Sequence, residues 1–166
     1  VNNPLIAQGY LNKLRASLSL TNFTNLNVTA PFLNREGIRL AIEGQATDFL
    51  PTLTGAVGSP NPFMMCSVTV NLLKTQSIAN AYKLQMESST LLGPGTVRPD
   101  IGNSTTTFLQ ANPLLAQGGL PAAGLSPYEL TNLAIVSVAE QSYSGEDAGW
   151  RITLRGFYQI NSSLYN

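Results

Sequence analysis

Across residues 64–73 the apolar side chains recur at every second position: Met64, Cys66, Val68, Val70 and Leu72 fall on one side, with Ser67, Thr69 and Asn71 on the other. A strand turns successive side chains to opposite faces, so this period of two predicts a half-buried β-strand with a core face and a wet face. The pattern recurs elsewhere. In residues 13–21, Leu14, Ala16, Leu18 and Leu20 alternate with Arg15, Ser17, Ser19 and Thr21. In residues 37–43, Ile38, Leu40 and Ile42 alternate with Arg39, Ala41 and Glu43. Residues 133–141 and 150–160 read as an antiparallel pair joined by a hairpin loop at 144–149. In the second of these, Trp150, Ile152, Leu154, Tyr158 and Ile160 oppose Arg151, Thr153, Arg155 and Gln159.

One segment changes period. Over residues 75–88, Ile78, Ala79, Tyr82 and Met86 share a helical face opposite Gln76, Asn80, Lys83 and Glu87. The chain is therefore expected to be mainly β with one α-helix. Thr75 is placed to cap the helix through its hydroxyl. Leu84 lies off the apolar stripe and is expected on the surface. Two stretches, 45–63 and 112–127, are rich in Gly and Pro and read as long loops. The first carries Phe49, Leu50, Leu53 and Val57, too apolar for a loop that stays in solvent, and is expected to pack on something. Residues 102–127 receive no assignment. With no repeat, charge block or linker, residues 1–166 are expected to form a single domain.

Composition narrows the function classes. Only 11% of the residues are charged, nine basic and nine acidic, against about a quarter in an ordinary globular chain. Asn, Gln, Ser and Thr make up nearly a third. Such a surface has little charge repulsion to hold copies apart, which suits a protein covered by its own copies. Lys and Arg are scattered between Lys13 and Arg155, without the basic cluster that phosphate recognition requires. No apolar run reaches the roughly 20 residues of a membrane-spanning helix, and the first residues lack a secretory pattern, so a soluble protein is expected.

The residues of common active sites are missing. There is no histidine, and Cys66 is the only cysteine, which removes histidine bases, the usual triad, most zinc sites and any intrachain disulfide. Cys66 reads as a small core residue. The run Leu92-Gly93-Pro94-Gly95 reads as a turn and not a phosphate loop. Glu43 and Glu140 are the carboxylates that strand placement leaves able to face one another, as a two-carboxylate glycosidase would need. Glu146 and Asp147 belong to a hairpin tip. Asn-x-Ser/Thr triplets begin at Asn22, Asn27, Asn103 and Asn161, as expected by chance in a chain of this composition. The sequence thus calls for no catalytic residue, cofactor or metal, and an enzyme is not expected.

Several segments, taken in order, are familiar: Leu26-Asn27-Val28-Thr29-Ala30, Phe32-Leu33, Glu36-Gly37-Ile38 and Glu43-Gly44. They are followed by Thr52-Leu53-Thr54-Gly55-Ala56-Val57-Gly58-Ser59-Pro60, Leu72-Leu73-Lys74-Thr75-Gln76 and Arg155-Gly156-Phe157-Tyr158-Gln159-Ile160-Asn161. With the order of elements, they resemble the tail tube proteins of contractile-tailed, myovirus-like bacteriophages, which share a fold with type VI secretion tube subunits. The resemblance spans most of the chain, and its weight comes from order and extent. It implies two packed antiparallel β-sheets, a sandwich or barrel of the tail-tube kind, assembling as a hexameric ring with a continuous inner β-barrel. It further implies that residues 45–61 form a long loop reaching the adjacent ring, with Asp48, Phe49, Leu50, Leu53, Thr54 and Val57 as its contacts. Residues 1–12 and 162–166 are further candidates for ring-to-ring contact. The lumen candidates are Glu43, Glu140, Ser67, Thr69 and Asn71. The implied partners are the chain itself in stacked rings, a tail sheath protein, and baseplate and tail terminator proteins. DNA passes through the lumen without specific binding, and no membrane is involved. The protein would be made in the host cytoplasm and reside in the virion tail. The rival readings are a tube subunit of another contractile injection machine, a capsid decoration or fibre protein, and a carbohydrate-binding β-sandwich.

Overall fold

The computed structural model describes residues 14, 16–98 and 127–165. The expectations for residues 1–13, Arg15, the Asn103 triplet, 112–126 and Asn166 lie outside the described residues. Among the described residues there are eight strands: β1 (Ser17–Leu20), β2 (Leu33–Glu43), β3 (Thr47–Pro51), β4 (Ala56–Pro60), β5 (Phe63–Leu73), β6 (Leu91–Arg98), β7 (Tyr128–Val138) and β8 (Gly149–Gln159). The helix α1 (Ser77–Ser88) joins β5 to β6, and the short α2 (Ser162–Tyr165) follows β8. Two antiparallel sheets result, one of six strands in the order β1-β6-β7-β8-β5-β2 and one of two strands, β3-β4.

The long alternating segment lies where its pattern demands. β5 runs between β2 and β8, and its register pairs Cys66 with Gly156, Val68 with Leu154, Val70 with Ile152 and Leu72 with Trp150. Directly opposed residues share a face, and on this one the four β5 side chains are fully buried. Ile38 and Leu40 continue the same rows on β2, opposite Val70 and Val68. The core thus occupies one face of the large sheet, where α1 and the 3-10 turn Thr24–Leu26 are packed. Tyr82 is fully buried there, and its hydroxyl donates to the Leu26 carbonyl at 2.7 Å. Residues beside opposite edges of the sheet, Ala16 next to β1 and Leu33, Ile38 and Leu40 of β2, line one groove of about 620 Å³. The sheet must therefore curl until its two edges approach.

Several local expectations change. The core is made within the large sheet and against α1, while the second sheet is only a hairpin. That hairpin, β3–β4, replaces the expected loop over 45–61: it is paired from Thr47↔Pro60 to Pro51↔Ala56. The turn read at Leu92–Gly95 is strand β6, carried past Pro94 by register shifts on either side of Gly93, which has φ +80°. Gly95 is required by packing, since a Cβ there would come within 2.6 Å of Leu133 and 2.9 Å of Leu20. β7 begins at Tyr128, ahead of the expected start, because a bulge at Asn132 (φ 53°) breaks the period while leaving both Leu130 and Leu133 buried. Thr75 does not cap α1. The cap position is Gln76, without a side-chain bond, because Lys74 and Thr75 are used in a turn closed from the Gln76 amide to the Leu73 carbonyl at 3.2 Å. The helix face is as read, with Ile78, Ala79 and Tyr82 buried and Leu84 exposed.

Candidate functional site: a polar sheet face and an apolar hairpin

Since the even-numbered positions of β5 supply the core, its odd-numbered positions build the opposite face of the sheet. Ser67 is opposed by Arg155 on β8 and Ala41 on β2, and Thr69 by Thr153 and Arg39. Ser137 of β7 extends the second row beside Thr153. The middle of the face is polar; Arg151 and Arg155 are tied to glutamates, Arg39 is exposed without an ion pair among the described residues, and toward one end Met65 and Phe63 meet Phe157. Arg151 donates to Glu36 at 2.7 Å, and Arg155 donates to Glu43. All four side chains are about half exposed, so each pair contributes at most about 1 kcal/mol to stability. Their larger effect is to set a carboxylate against one nitrogen of each guanidinium, offsetting the charge that would otherwise attract an anion.

Of the lumen candidates, Glu43, Ser67 and Thr69 come together on this face. Asn71 does not contribute, being 1% exposed. β2 loses register with β5 between Leu33 and Ile38, and the Asn71 amide fills the gap by donating to the Gly37 carbonyl at 3.0 Å. Glu140 is exposed beyond the end of β7. It also lies far from Glu43. Glu43 is level with Met65 and Phe157, whereas the chain entering Glu140 is held at Arg151 by the Ala139 amide, 3.1 Å from the Arg151 carbonyl. From Arg151 to Phe157 the strand advances about 20 Å. Glycosidase carboxylates stand within about 10 Å of each other, so these two do not form such a pair. Glu36, Arg151 and Arg155 were not singled out from sequence as site residues, although the alternation of Arg151, Thr153 and Arg155 had already put them opposite the core.

The second surface is the hairpin. Phe49, Leu50, Leu53 and Val57 are 69%, 57%, 101% and 55% exposed. Phe49 lies across the strand over Gly58, with its ring edge 3.5 Å from where a Cβ would stand. Leu50 and Val57 are directly opposed on the other face, so the hairpin is apolar on both sides and buries neither. Asp48 and Thr54 belong to it as well. The Asp48 carboxylate accepts from the Asn61 amide at 3.3 Å, and Thr54 lies in the exposed turn that the Thr52 amide closes onto the Gly55 carbonyl at 2.8 Å. All six loop contacts expected from sequence are thus gathered on one projection.

The groove between the sheet edges is lined by Leu33, Ile38, Leu40, Val97 and Tyr128, with Arg35, Glu36 and Arg98 at its polar side. Among the described residues no group of three or more His, Cys, Asp or Glu is placed to hold a metal ion. Cys66 is buried, its thiol donates to the Gly156 carbonyl at 3.3 Å, and burial pushes its pKa up. No described helix is long and apolar enough to cross a membrane. Comparison of the sequence with protein-family models and with curated proteins gives no match.

Proposed function

We propose that this chain is a structural subunit of a phage-like tail tube, assembling as stacked hexameric rings whose lumen is the conduit for DNA. The observation that carries the reading is the division of the surface: one sheet face closed over the core, the other polar at its middle with two ion pairs, and a hairpin whose large apolar side chains stay more than half exposed. An exposed apolar projection on a chain with so few charges favours contact between copies. The edge strand β2 adds the means for a second contact, since unpaired backbone groups attract another strand. One heterologous contact that closes gives a ring, and one that does not close gives a tube.

In this reading the polar face turns inward, and the inner strands of six copies join into a continuous barrel. Glu43, Ser67 and Thr69 then line the lumen, where the paired Arg151 and Arg155 release few counterions to passing DNA and Arg39 is the unpaired exception. The hairpin reaches the next ring. Sheath, baseplate and terminator proteins would meet the outside and the ends of a tube resident in the virion. A tube subunit of another contractile injection machine would share every one of these features, and the genes on either side distinguish it.

Removal of residues 45–61 tests the division of labour. Glu43 pairs with Met65, so the deletion leaves Gly44 and Pro62–Met64 as a short connection between strands that are already neighbours. Sedimentation velocity across a concentration series should then give rings without longer species. A deletion variant that still forms long assemblies would remove the hairpin from the stacking contact.

A further inference from the structure

We infer that the C-terminal segment is a clasp that sets the direction of the β3–β4 hairpin, with Asn161 and Tyr165 as its positioning residues. The hairpin leaves the large sheet at two points, Gly44 (φ +87°) and the link from Pro60 to Pro62. A two-stranded hairpin is marginal by itself, and this one buries none of its large apolar side chains. Something else must fix its pose.

The chain after β8 does so by gripping three successive carbonyls of that link. The Tyr165 hydroxyl donates to the Pro60 carbonyl at 2.6 Å, the Asn161 side-chain amide to the Asn61 carbonyl at 2.8 Å, and the Ile160 backbone amide to the Pro62 carbonyl at 3.1 Å. Pro60 and Pro62 have no N–H, so this link is held mainly through its acceptors. Asn61 carries the grip into the hairpin: its backbone amide donates to the Ala46 carbonyl at 2.9 Å and its side-chain amide to the Gln45 carbonyl at 2.7 Å. Both limbs are thereby fastened to the same point. Asn161 can turn the chain into the clasp because it adopts φ 53°, which asparagine tolerates better than most residues. α2 then places Tyr165 one turn on, with the Leu164 amide bonded to the Asn161 carbonyl at 2.9 Å.

The clasp is a property of the subunit. Its consequence for assembly rests on the tube reading, in which a second copy of this chain meets a hairpin held in one pose. Hydrogen exchange of the unassembled 166-residue chain tests it with Tyr165→Phe, which removes only the hydroxyl, and with Tyr165→Phe combined with Asn161→Asp. The aspartate keeps the shape and the turn but points an oxygen at the Asn61 carbonyl. Amides of residues 47–60 should exchange about tenfold faster in the double variant and by a smaller factor in the single one, with β5 and β8 protected as before. Equal hairpin protection in both variants and the parent overturns the clasp. If exchange rises and tubes still form as in the parent, the clasp stands and the stacking role of the hairpin fails.

Discussion

The pair β5–β8 and the hairpin β3–β4 share an antiparallel hydrogen-bonding pattern and differ in where their apolar side chains go. Along β5–β8 the rows from Cys66 to Leu72 on one face are buried in the core, while Ser67 and Thr69 face out beside Arg155 and Thr153, so the pair is stabilised within one subunit. Along β3–β4 apolar side chains stand on both faces and all are exposed. Burying a Leu or Phe contributes roughly 1.5–3 kcal/mol, and the hairpin collects none of this in the lone chain. Apolar area that does not hold the subunit together is available to hold subunits to one another. The comparison separates folding residues from assembly residues, and substitutions in the two regions should have opposite signatures.

The largest effect belongs to the core pair. Leu154→Ala removes a fully buried side chain opposite Val68 and should cost about 2–5 kcal/mol in urea denaturation. A loss below about 1 kcal/mol would erase the contrast with the hairpin.

Tyr82→Phe follows, at about 1–3 kcal/mol, because it strips the buried Leu26 carbonyl of its donor. It also carries a pH signature. Burial pushes the Tyr82 phenol above its ordinary value of 10.0. As pH rises past that value the unfolded chain loses the proton while the folded chain keeps it, so stability present below it declines above it. Thermal unfolding at pH 8 and at pH 11 should show a smaller alkaline loss in Tyr82→Phe than in the parent.

Leu50→Ser and Val57→Ser should change subunit stability by no more than about 0.5 kcal/mol and yet shorten or abolish assemblies seen by light scattering. Were they to destabilise the subunit as Leu154→Ala does, the hairpin would be part of the core and the comparison would break.

On the polar face the expected change in stability is also small. Glu36→Gln with Glu43→Gln should cost less than about 1 kcal/mol per pair. It frees Arg151 and Arg155, so retention on a duplex-DNA column should increase, with a salt dependence steeper by up to about two units of log–log slope. Unchanged retention would mean that the ion pairs do not mask the arginines.

The parts of the fold legible in sequence are those where one period runs unbroken. β2, β5, β8 and α1 each keep a single apolar face for two or more turns or pleats, which is why Glu43, Ser67 and Thr69 could be assigned to a shared wet face. β6 was hidden because Gly93, Pro94 and Gly95 carry turn chemistry, and only tertiary packing against Leu20 and Leu133 explains the glycine. The β3–β4 strands were hidden because apolar residues on both faces cancel the alternation. Asn71 was misplaced by a bulge on the neighbouring strand, which no pattern on its own strand reports. Glu140 falls after β7, where the period no longer fixes direction. The clasp had no signal at all: its bonds join Asn161 and Tyr165 to carbonyls about a hundred residues away, and backbone acceptors leave no trace in a sequence.

The most direct test of self-assembly is negative-stain electron microscopy of the purified protein across a concentration series, with Leu50→Ser beside it. The expected result is rings and hollow tubes of uniform width for the parent, and rings without tubes for the variant. Small single particles at every concentration, or tubes equally abundant in both proteins, would contradict the assignment of the hairpin to assembly.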